Sequence, residues 1–120
     1  MSISNLQIFG TKKCQDSRKA ERFFKERRVS YQRIDLAQKG PSAGELRKMA
    51  NAVGGMEKLI DRDGRRYVDR GLKYAAPTGP RIELILLDDP LLLRTPIVRT
   101  GDRATVGYDD KTWLSWLASQ

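Results

Sequence analysis

The chain is organised around residues 10–18, GTKKCQDSR, which place its only cysteine, Cys14, between an apolar stretch and an amphipathic one. The apolar stretch before it is typical of a short buried strand, and Gly10 ends that strand. After it, apolar residues recur at the i, i+3, i+4 spacing of a helix. The residues concerned are Leu6, Ile8 and Phe9 in the strand and Ala20, Phe23 and Phe24 in the helix. The pattern therefore places Cys14 at a helix N-terminus.

A cysteine in this position is predicted to be a reactive thiolate. The unpaired N–H groups and the positive dipole end of the helix favour an ionised sulfur. Lys12, Lys13 and Arg18 act in the same direction, so the pKa of Cys14 should lie below the free value of about 8.5. The alternative is a small buried hydrophobic residue, as free cysteines often are. The charged and polar neighbours favour the reactive thiol.

Length and composition set broad limits. The 120 residues fit one domain, and 39% hydrophobic residues supply a modest core. Lysine and arginine outnumber aspartate and glutamate by 23 to 15, and the resulting charge of +8 favours anionic partners. The basic residues are nevertheless scattered and mixed with acids, as at Arg27, Arg62 and Arg70. This is typical of a solvated surface, so we do not expect specific nucleic-acid binding.

Several kinds of site are excluded by residues that the sequence lacks. A single cysteine cannot form an internal disulfide, and the absence of histidine removes the commonest metal ligand and the usual general base. We therefore expect no metal site and no bound cofactor. Residues 1–10 lack the apolar core of a signal peptide, and no apolar run approaches the 18 residues of a membrane span. A cytoplasmic protein without a membrane partner is expected.

The order of predicted elements indicates an α/β fold. A first helix at about 16–28 lies between strands that end at Gly10 and run over 29–36, and short links make these a parallel pair. Residues 41–92 read as a helical insert, with Ser42 and Glu45 in capping-box positions and an irregular stretch at 59–67. An antiparallel hairpin near residues 97–107 and a last helix follow. This order, β, α, β, helical insert, β, β, α, is a thioredoxin-like layout.

The sequence resembles the arsenate reductase (ArsC) and Spx family over nearly its whole length. CQDSRKA at residues 14–20 is similar to the C-x-x-S-R or C-x-x-x-[RK]-K-A start of the family's first helix. LLRTPIV at 92–98, followed by VGY at 106–108, resembles the family's L-x-x-R-P-I and V-G-[FY]. Two weaker landmarks are the strand at 31–36 and Leu59-Ile60 before a polar turn.

The resemblance implies a single ArsC/Spx-like domain, 1–120. It would have a glutaredoxin-type, thioredoxin-like mixed sheet built from about 1–40 and 93–120, with a helical subdomain inserted at about 41–92. It also implies that Pro96 is a cis proline facing Cys14, with the backbone at Thr95 beside the sulfur. The alternative for Pro96 is an ordinary trans proline that opens an edge strand.

Departures from the family argue against arsenate reduction. Arsenate reductases of this type surround the oxyanion with three arginines, and the matching positions here are Asp61, Thr95 and Tyr108. The planar fork of arginine binds a tetrahedral oxyanion at two points, whereas an aspartate repels it. Arg62 and Arg94 lie one residue away from two of these positions, but adjacent residues of a strand point to opposite faces.

The resemblance and the lone thiol together predict a thiol oxidoreductase. Cys14 is the expected nucleophile, held as a thiolate by the helix N-terminus, Lys12, Lys13 and Arg94. Ser17 stands where relatives carry the second cysteine of C-x-x-C, and its hydroxyl either donates to the thiolate or caps the helix. An external thiol must therefore complete the cycle. We expect glutathione as co-substrate, or a glutaredoxin-like donor, paired with the backbone at residues 95–97.

The alternative is an Spx-like regulatory protein that binds RNA polymerase or another protein partner without redox catalysis. Its function would depend on exposed basic residues such as Arg47, Arg65 and Arg66, and its affinity would fall as salt rises.

Overall fold

The computed structural model describes residues 5–118, so the outermost parts of the predicted core, 1–4 and 119–120, lie outside the described residues. Its helices and strands occur in the order β, α, β, four helices, β, β, α. They are β1 (Gln7–Gly10), α1 (Gln15–Glu26), β2 (Gln32–Asp35), α2 (Ala43–Val53), α3 (Arg65–Asp69), α4 (Leu72–Ala75), α5 (Gly79–Asp88), β3 (Ile97–Thr100), β4 (Arg103–Val106) and α6 (Asp110–Ala118), with short 3-10 turns at Met56–Lys58 and Pro90–Leu92.

The four strands form one mixed sheet in the order β2-β1-β3-β4. β1 pairs with β2 in parallel, while β3 is antiparallel to both β1 and β4. Phe9 lies opposite Ile97, and Ile97 lies opposite Val106. The end of β1, the start of β3 and the end of β4 therefore lie side by side at the same end of the sheet. The predicted α/β, thioredoxin-like fold is confirmed, whereas its division into a core and an inserted subdomain remains a prediction.

The two faces of the sheet are covered by separate apolar clusters. On one face, α1 and α6 contribute Phe23, Phe24 and Trp113, and the buried Trp113 donates its Nε1–H to Thr105 Oγ1 at 2.8 Å. On the other face the helices between β2 and β3 pack their apolar residues against Phe9 and Ile97. Helix α1, whose N-terminus carries Cys14, and the helices between β2 and β3 therefore lie on opposite faces of the sheet.

Close packing between β1 and α1 requires glycine at position 10. A Cβ on Gly10 would collide with the hydroxyl of Ser17, which is 2% exposed in the first turn of α1. This contact fixes the start of α1 against the end of β1. It thereby fixes Cys14, which lies between them.

The predicted cap of α2 is confirmed, but the predicted length of the second strand is wrong. Ser42 Oγ accepts from the Glu45 N–H at 3.1 Å, and Glu45 Oε1 accepts from the Ser42 N–H at 2.9 Å. The second strand is shorter than the predicted 29–36, because Val29 N–H bonds to Phe24 O in the turn that ends α1.

The stretch 59–67 is not irregular throughout, since α3 begins at Arg65. Arg66 and Arg70 lie one helical turn apart, and both donate to the buried carboxylate of Asp89, at 2.8 and 3.0 Å. This contact joins α3 to the end of α5. In residues 5–118 no helix is long and apolar enough to cross a membrane.

Candidate active site

Cys14 is the N-cap residue of α1. Its backbone is extended, with φ −78° and ψ 116°, and its Sγ accepts the N–H of Ser17 at 3.4 Å. A sulfur here takes the place of the oxygen that a serine or aspartate cap supplies, and it satisfies one of the free N–H groups of the first turn. The side chain is partly exposed, so a substrate can reach it. The predicted position at a helix N-terminus is what the structure shows.

Thr95 provides the second contact to the sulfur, from 81 residues further along the chain. Its hydroxyl Oγ1 donates to Cys14 Sγ at 3.1 Å. In the protonated form, the Cys14 thiol donates weakly to the Thr95 carbonyl at 3.7 Å. The Thr95–Pro96 peptide bond is cis, as the resemblance implied, and the Pro96 carbonyl accepts the Gly107 N–H at 2.8 Å. The segment before β3 is thus held beside the thiol.

Ser17 contacts the sulfur mainly through its backbone. Its N–H makes the capping bond, whereas its buried Oγ has no hydrogen-bond partner of good geometry among the described residues. The hydroxyl lies close enough to Cys14 to favour the ionised sulfur, but we attribute the firmer side-chain contribution to Thr95, whose hydrogen bond has good geometry. The cap of α1 is the Cys14 sulfur and not the Ser17 hydroxyl, and donation from this hydroxyl to the thiolate stays a prediction.

The balance of these contacts lowers the pKa of Cys14 below its ordinary value. Partial burial is the largest influence and opposes ionisation. The side chains of Ser17 and Thr95, and the backbone N–H groups of Ser17 and Asp16, together outweigh it. The direction agrees with the sequence-based prediction, and the N–H groups of the first turn of α1 contribute as expected; a contribution from the nearby lysines and arginines stays a prediction.

The predicted cations do not contact the sulfur. Lys12, Lys13 and Arg18 are exposed, and within residues 5–118 none of them makes a hydrogen bond to Cys14. Arg94 points instead to two carboxylates, Asp61 at 4.0 Å and Asp63 at 3.7 Å. The stabilising role proposed for these four residues therefore stays a prediction, and it would have to act over a longer range.

The three positions that carry arginine in arsenate reductases have separate surroundings. Thr95 is at the sulfur, Asp61 faces Arg94, and the Tyr108 ring packs edge-on against Trp113 with centroids 5.1 Å apart. Arg62, the possible substitute, donates to Tyr67 Oη at 3.1 Å. The part of the chain that the structure describes thus has no cluster of guanidinium groups contacting Cys14. It also contains no group of three or more histidine, cysteine, aspartate or glutamate residues that could hold a metal ion.

Sequence reasoning missed two features of this site. The sequence predicted that the Thr95 backbone lies beside the sulfur and that Thr95 replaces an oxyanion-binding arginine. It did not predict that the Thr95 side chain contacts the thiol. A hydroxyl residue directly before Pro96 was the signal that could have revealed this contact. The pairing of Arg94 with Asp61 and Asp63 had no local signal, because the partners are more than 30 residues apart.

The fold and the site define a thioredoxin-like protein with a single cysteine at the N-terminus of its first helix. A sequence profile described as the ArsC family matches residues 9–116, and the chain belongs to that family.

Among curated relatives, the chain is 27% identical over 117 residues to the uncharacterized protein YusI of Bacillus subtilis, covering 93% of this chain and 98% of YusI. It is 28% identical over 126 residues to the global transcriptional regulator Spx 2 of Oceanobacillus iheyensis, covering 92% of each.

Solved structures share the same fold. An ArsC family related protein from Bacteroides fragilis superposes with a TM-score of 0.83 at 20% identity, covering 94% of this chain and 98% of that one. The arsenate reductase from Vibrio cholerae has a TM-score of 0.79 at 20% identity, covering 96% and 97%. At these identities the likeness shows the fold alone.

Proposed function

We propose that this protein is a glutathione-dependent thiol oxidoreductase with Cys14 as its nucleophile. The observation that carries the proposal is the pair of hydrogen bonds to the sulfur, from the Ser17 N–H at the start of α1 and from the Thr95 hydroxyl. Both contacts favour a thiolate, which is the form that attacks disulfides. Family membership supports the same chemical class.

The reaction follows from a thiolate without a resolving partner. Cys14 attacks the glutathionyl sulfur of a mixed disulfide, the old S–S bond breaks, and the substrate leaves as a thiolate. Reduced glutathione, as its thiolate, then attacks the mixed disulfide on Cys14. Oxidised glutathione leaves, and the Cys14 thiolate is regenerated. The second thiol must come from glutathione or a glutaredoxin-like donor, because the sequence holds one cysteine.

The backbone beside the thiol suits a peptide-like ligand. The Thr95 N–H has no hydrogen-bond acceptor among the described residues, and it lies in the segment whose side chain touches the sulfur. A glutathione cysteine bound covalently to Cys14 can therefore pair with this N–H as a short added strand. Lys12 and Lys13 are exposed in the loop before the thiol, where they can attract the carboxylates of glutathione.

Arsenate reduction does not form part of the proposal. None of the three family positions holds an arginine, and Asp61 would repel an oxyanion. The similarity to proteins named arsenate reductases is a similarity of fold.

A coupled assay tests the proposed activity. A glutathionylated peptide is incubated with the protein, reduced glutathione, glutathione reductase and NADPH, and NADPH oxidation is followed. We expect turnover that Cys14→Ser abolishes and that Ser115→Ala, an exposed substitution on α6, leaves in place. Turnover that is absent in the parent chain, or equal in Cys14→Ser, would count against the proposal.

A second candidate is an Spx-like regulator that binds a protein such as RNA polymerase. Relatives named Spx favour it, at 20–28% identity. The arginines predicted to bind the partner are not free, since Arg47 pairs with Glu83 at 3.0 Å, Arg65 with Asp69 at 3.6 Å and Arg66 with Asp89 at 2.8 Å. A partner retained equally by the parent and by Cys14→Ser, with no redox turnover, would favour this candidate.

A further inference from the structure

Helix α1 and its flanking turns carry most of the net positive charge of the chain. Residues 12–28 contain eight of the 23 lysines and arginines but three of the 15 aspartates and glutamates, a net charge of +5 out of +8. All eight basic residues are exposed. In the described part of the chain none of them has a carboxylate within 4.0 Å. The uncompensated charge is therefore concentrated around the helix that begins at the thiol.

Four of these cations form a row on the exposed side of α1 and of the turn that ends it. They are spaced by four, three and three residues, the spacing of one helix face, and the buried residues of α1 lie on the opposite side. The members of this cationic row are Arg18, Arg22, Lys25 and Arg28. Arg18 follows Cys14 by one turn, since its N–H donates to the Cys14 carbonyl at 3.2 Å. The cationic row thus starts one turn from the thiol and runs away from it.

The far end of the cationic row borders a hollow of about 530 Å³ in which the free charges are positive. Lys25 and Arg28 line this hollow, together with Arg33 of β2. The one carboxylate among its described lining residues is that of Glu21. It is already engaged, by Arg33 at 3.2 Å and by the Tyr31 hydroxyl at 3.0 Å. The hollow is therefore complementary to an acidic ligand.

The stability of α1 does not explain the cationic row. Like charges at the i, i+4 and i, i+3 spacings, as in Arg18–Arg22 and Arg22–Lys25, repel each other and destabilise a helix. Arg28 has the left-handed conformation, with φ 59°, at the position after a helix where glycine is favoured. Bound carboxylates would remove the repulsion between these side chains, which gives the row a reason in binding.

Three features favour an acidic polypeptide over a nucleic acid as the ligand. Asp16 and Glu26 are exposed beside the cationic row and would repel a continuous chain of phosphates, whereas the carboxylates of a polypeptide can be spaced to avoid them. The two aromatic residues of α1, Phe23 and Phe24, are buried, so the helix offers no platform on which bases stack. The substrate of the adjacent thiol is a disulfide, which polypeptides carry.

The geometry of α1 sets the spacing of the acidic residues. A rise of about 1.5 Å per residue places Arg18, Arg22 and Lys25 about 6, 12 and 17 Å from Cys14 along the helix axis. An extended chain covers these distances in roughly two, four and five residues, at about 3.3 Å each. Acidic residues at these positions from the disulfide cysteine would each lie near one cation.

We propose that the cationic row binds an acidic segment of a polypeptide substrate, about two to five residues from the cysteine whose disulfide Cys14 attacks. The inference rests on the proposed function and gives it a substrate class, glutathionylated polypeptides with acidic residues close to the modified cysteine. The contacts are exposed ion pairs, so the affinity falls as salt rises.

The binding step is tested without redox chemistry by NMR titration of the full chain. The probe is the peptide Ser-Gly-Glu-Gly-Glu-Glu, acetylated and amidated at its ends, in which serine stands for the disulfide cysteine. Its reversed sequence is the second probe. We expect the amide signals of Arg22 and Lys25 to shift with at least one of the two. The same peptide with glutamine in place of glutamate should bind at least about fivefold more weakly.

Matched double variants separate the cationic row from the general charge of the protein. Arg22→Gln with Lys25→Gln should weaken binding of the acidic peptide about fivefold, through the loss of two exposed ion pairs. Lys48→Gln with Arg81→Gln is the control, because it removes the same charge from exposed positions of α2 and α5, on the other face of the sheet. The control should change the affinity less than about twofold. Glutamine is a good helix former, so both variants should fold.

The proposal is overturned if the glutamine peptide binds equally, if the shifts avoid α1, or if the two double variants lose the same affinity. Tighter binding of a short oligothymidylate to the same residues would assign the cationic row to nucleic acid and would also overturn it. Failure of the proposed redox activity would leave this binding unchanged, so the two failures are distinguishable. If both proposals hold, the glutathionylated acidic peptide should have a kcat/KM about fivefold above that of its glutamine counterpart, with the difference in KM.

Discussion

Replacing Thr95 with valine should make Cys14 a weaker nucleophile, because valine keeps the shape of threonine and removes the hydroxyl that donates to the sulfur at 3.1 Å. A hydrogen bond to a charged group contributes about 1.5–3 kcal/mol. The sulfur is partly exposed, so we reduce this to about 1 kcal/mol. Only the thiolate accepts the bond at full strength. The thiolate fraction at acidic pH should therefore fall about fivefold, since 1.4 kcal/mol corresponds to a factor of 10.

The rate of alkylation by iodoacetamide as a function of pH measures this effect. We expect the inflection of Thr95→Val to lie at higher pH than that of the parent, and its rate below the inflection to be about fivefold lower. Thr78→Val is the matched control, because Thr78 is exposed and its side chain makes no capping hydrogen bond. Superimposable profiles for Thr95→Val and the parent would show that this hydrogen bond does not stabilise the thiolate.

Three further predictions concern stability, measured by urea denaturation. Gly10→Ala should destabilise the fold by about 1–3 kcal/mol, because its Cβ collides with Ser17. Adding Ser17→Gly to the same chain should recover part of this loss. The control Gly44→Ala, where a Cβ meets only Ser42 Oγ at 4.0 Å, should cost far less. Asp89→Asn should cost about 1–3 kcal/mol because the buried carboxylate accepts from Arg66 and Arg70, while Asp69→Asn at an exposed ion pair should have little effect; an equal loss in both would refute the buried contact. Because the pKa of Cys14 is lowered in the folded chain, the free energy of unfolding of the parent relative to Cys14→Ala should depend on pH. This difference should grow as the pH rises from the folded pKa to the unfolded value of about 8.5, and the contribution should be absent below the folded pKa. A difference independent of pH would contradict it.

Local patterns were sufficient to predict the frame of the site. The strand before Gly10 and the helical spacing of Ala20, Phe23 and Phe24 lie within 20 residues of one another, so short-range periodicity placed Cys14 correctly at the N-terminus of α1. The capping box at Ser42 and Glu45 is equally local, and it too was found from the sequence.

Contacts between distant residues could not be obtained in this way. Thr95 reaches Cys14 across 81 residues, and Asp89 binds arginines of α3 from 19 and 23 residues away. The helix N–H groups that lower the pKa of Cys14 are local and were predicted from the sequence, whereas the hydrogen bond from Thr95 depends on how the segment before β3 approaches α1.

Intact-mass spectrometry shows directly whether Cys14 exchanges glutathione through a mixed disulfide. The purified chain is incubated with oxidised glutathione, and a second sample is then treated with excess reduced glutathione. We expect one glutathione per chain, located on Cys14 by peptide mapping, removed by reduced glutathione and absent from Cys14→Ser. A parent chain that gains no glutathione under conditions where a free cysteine peptide is modified would contradict it.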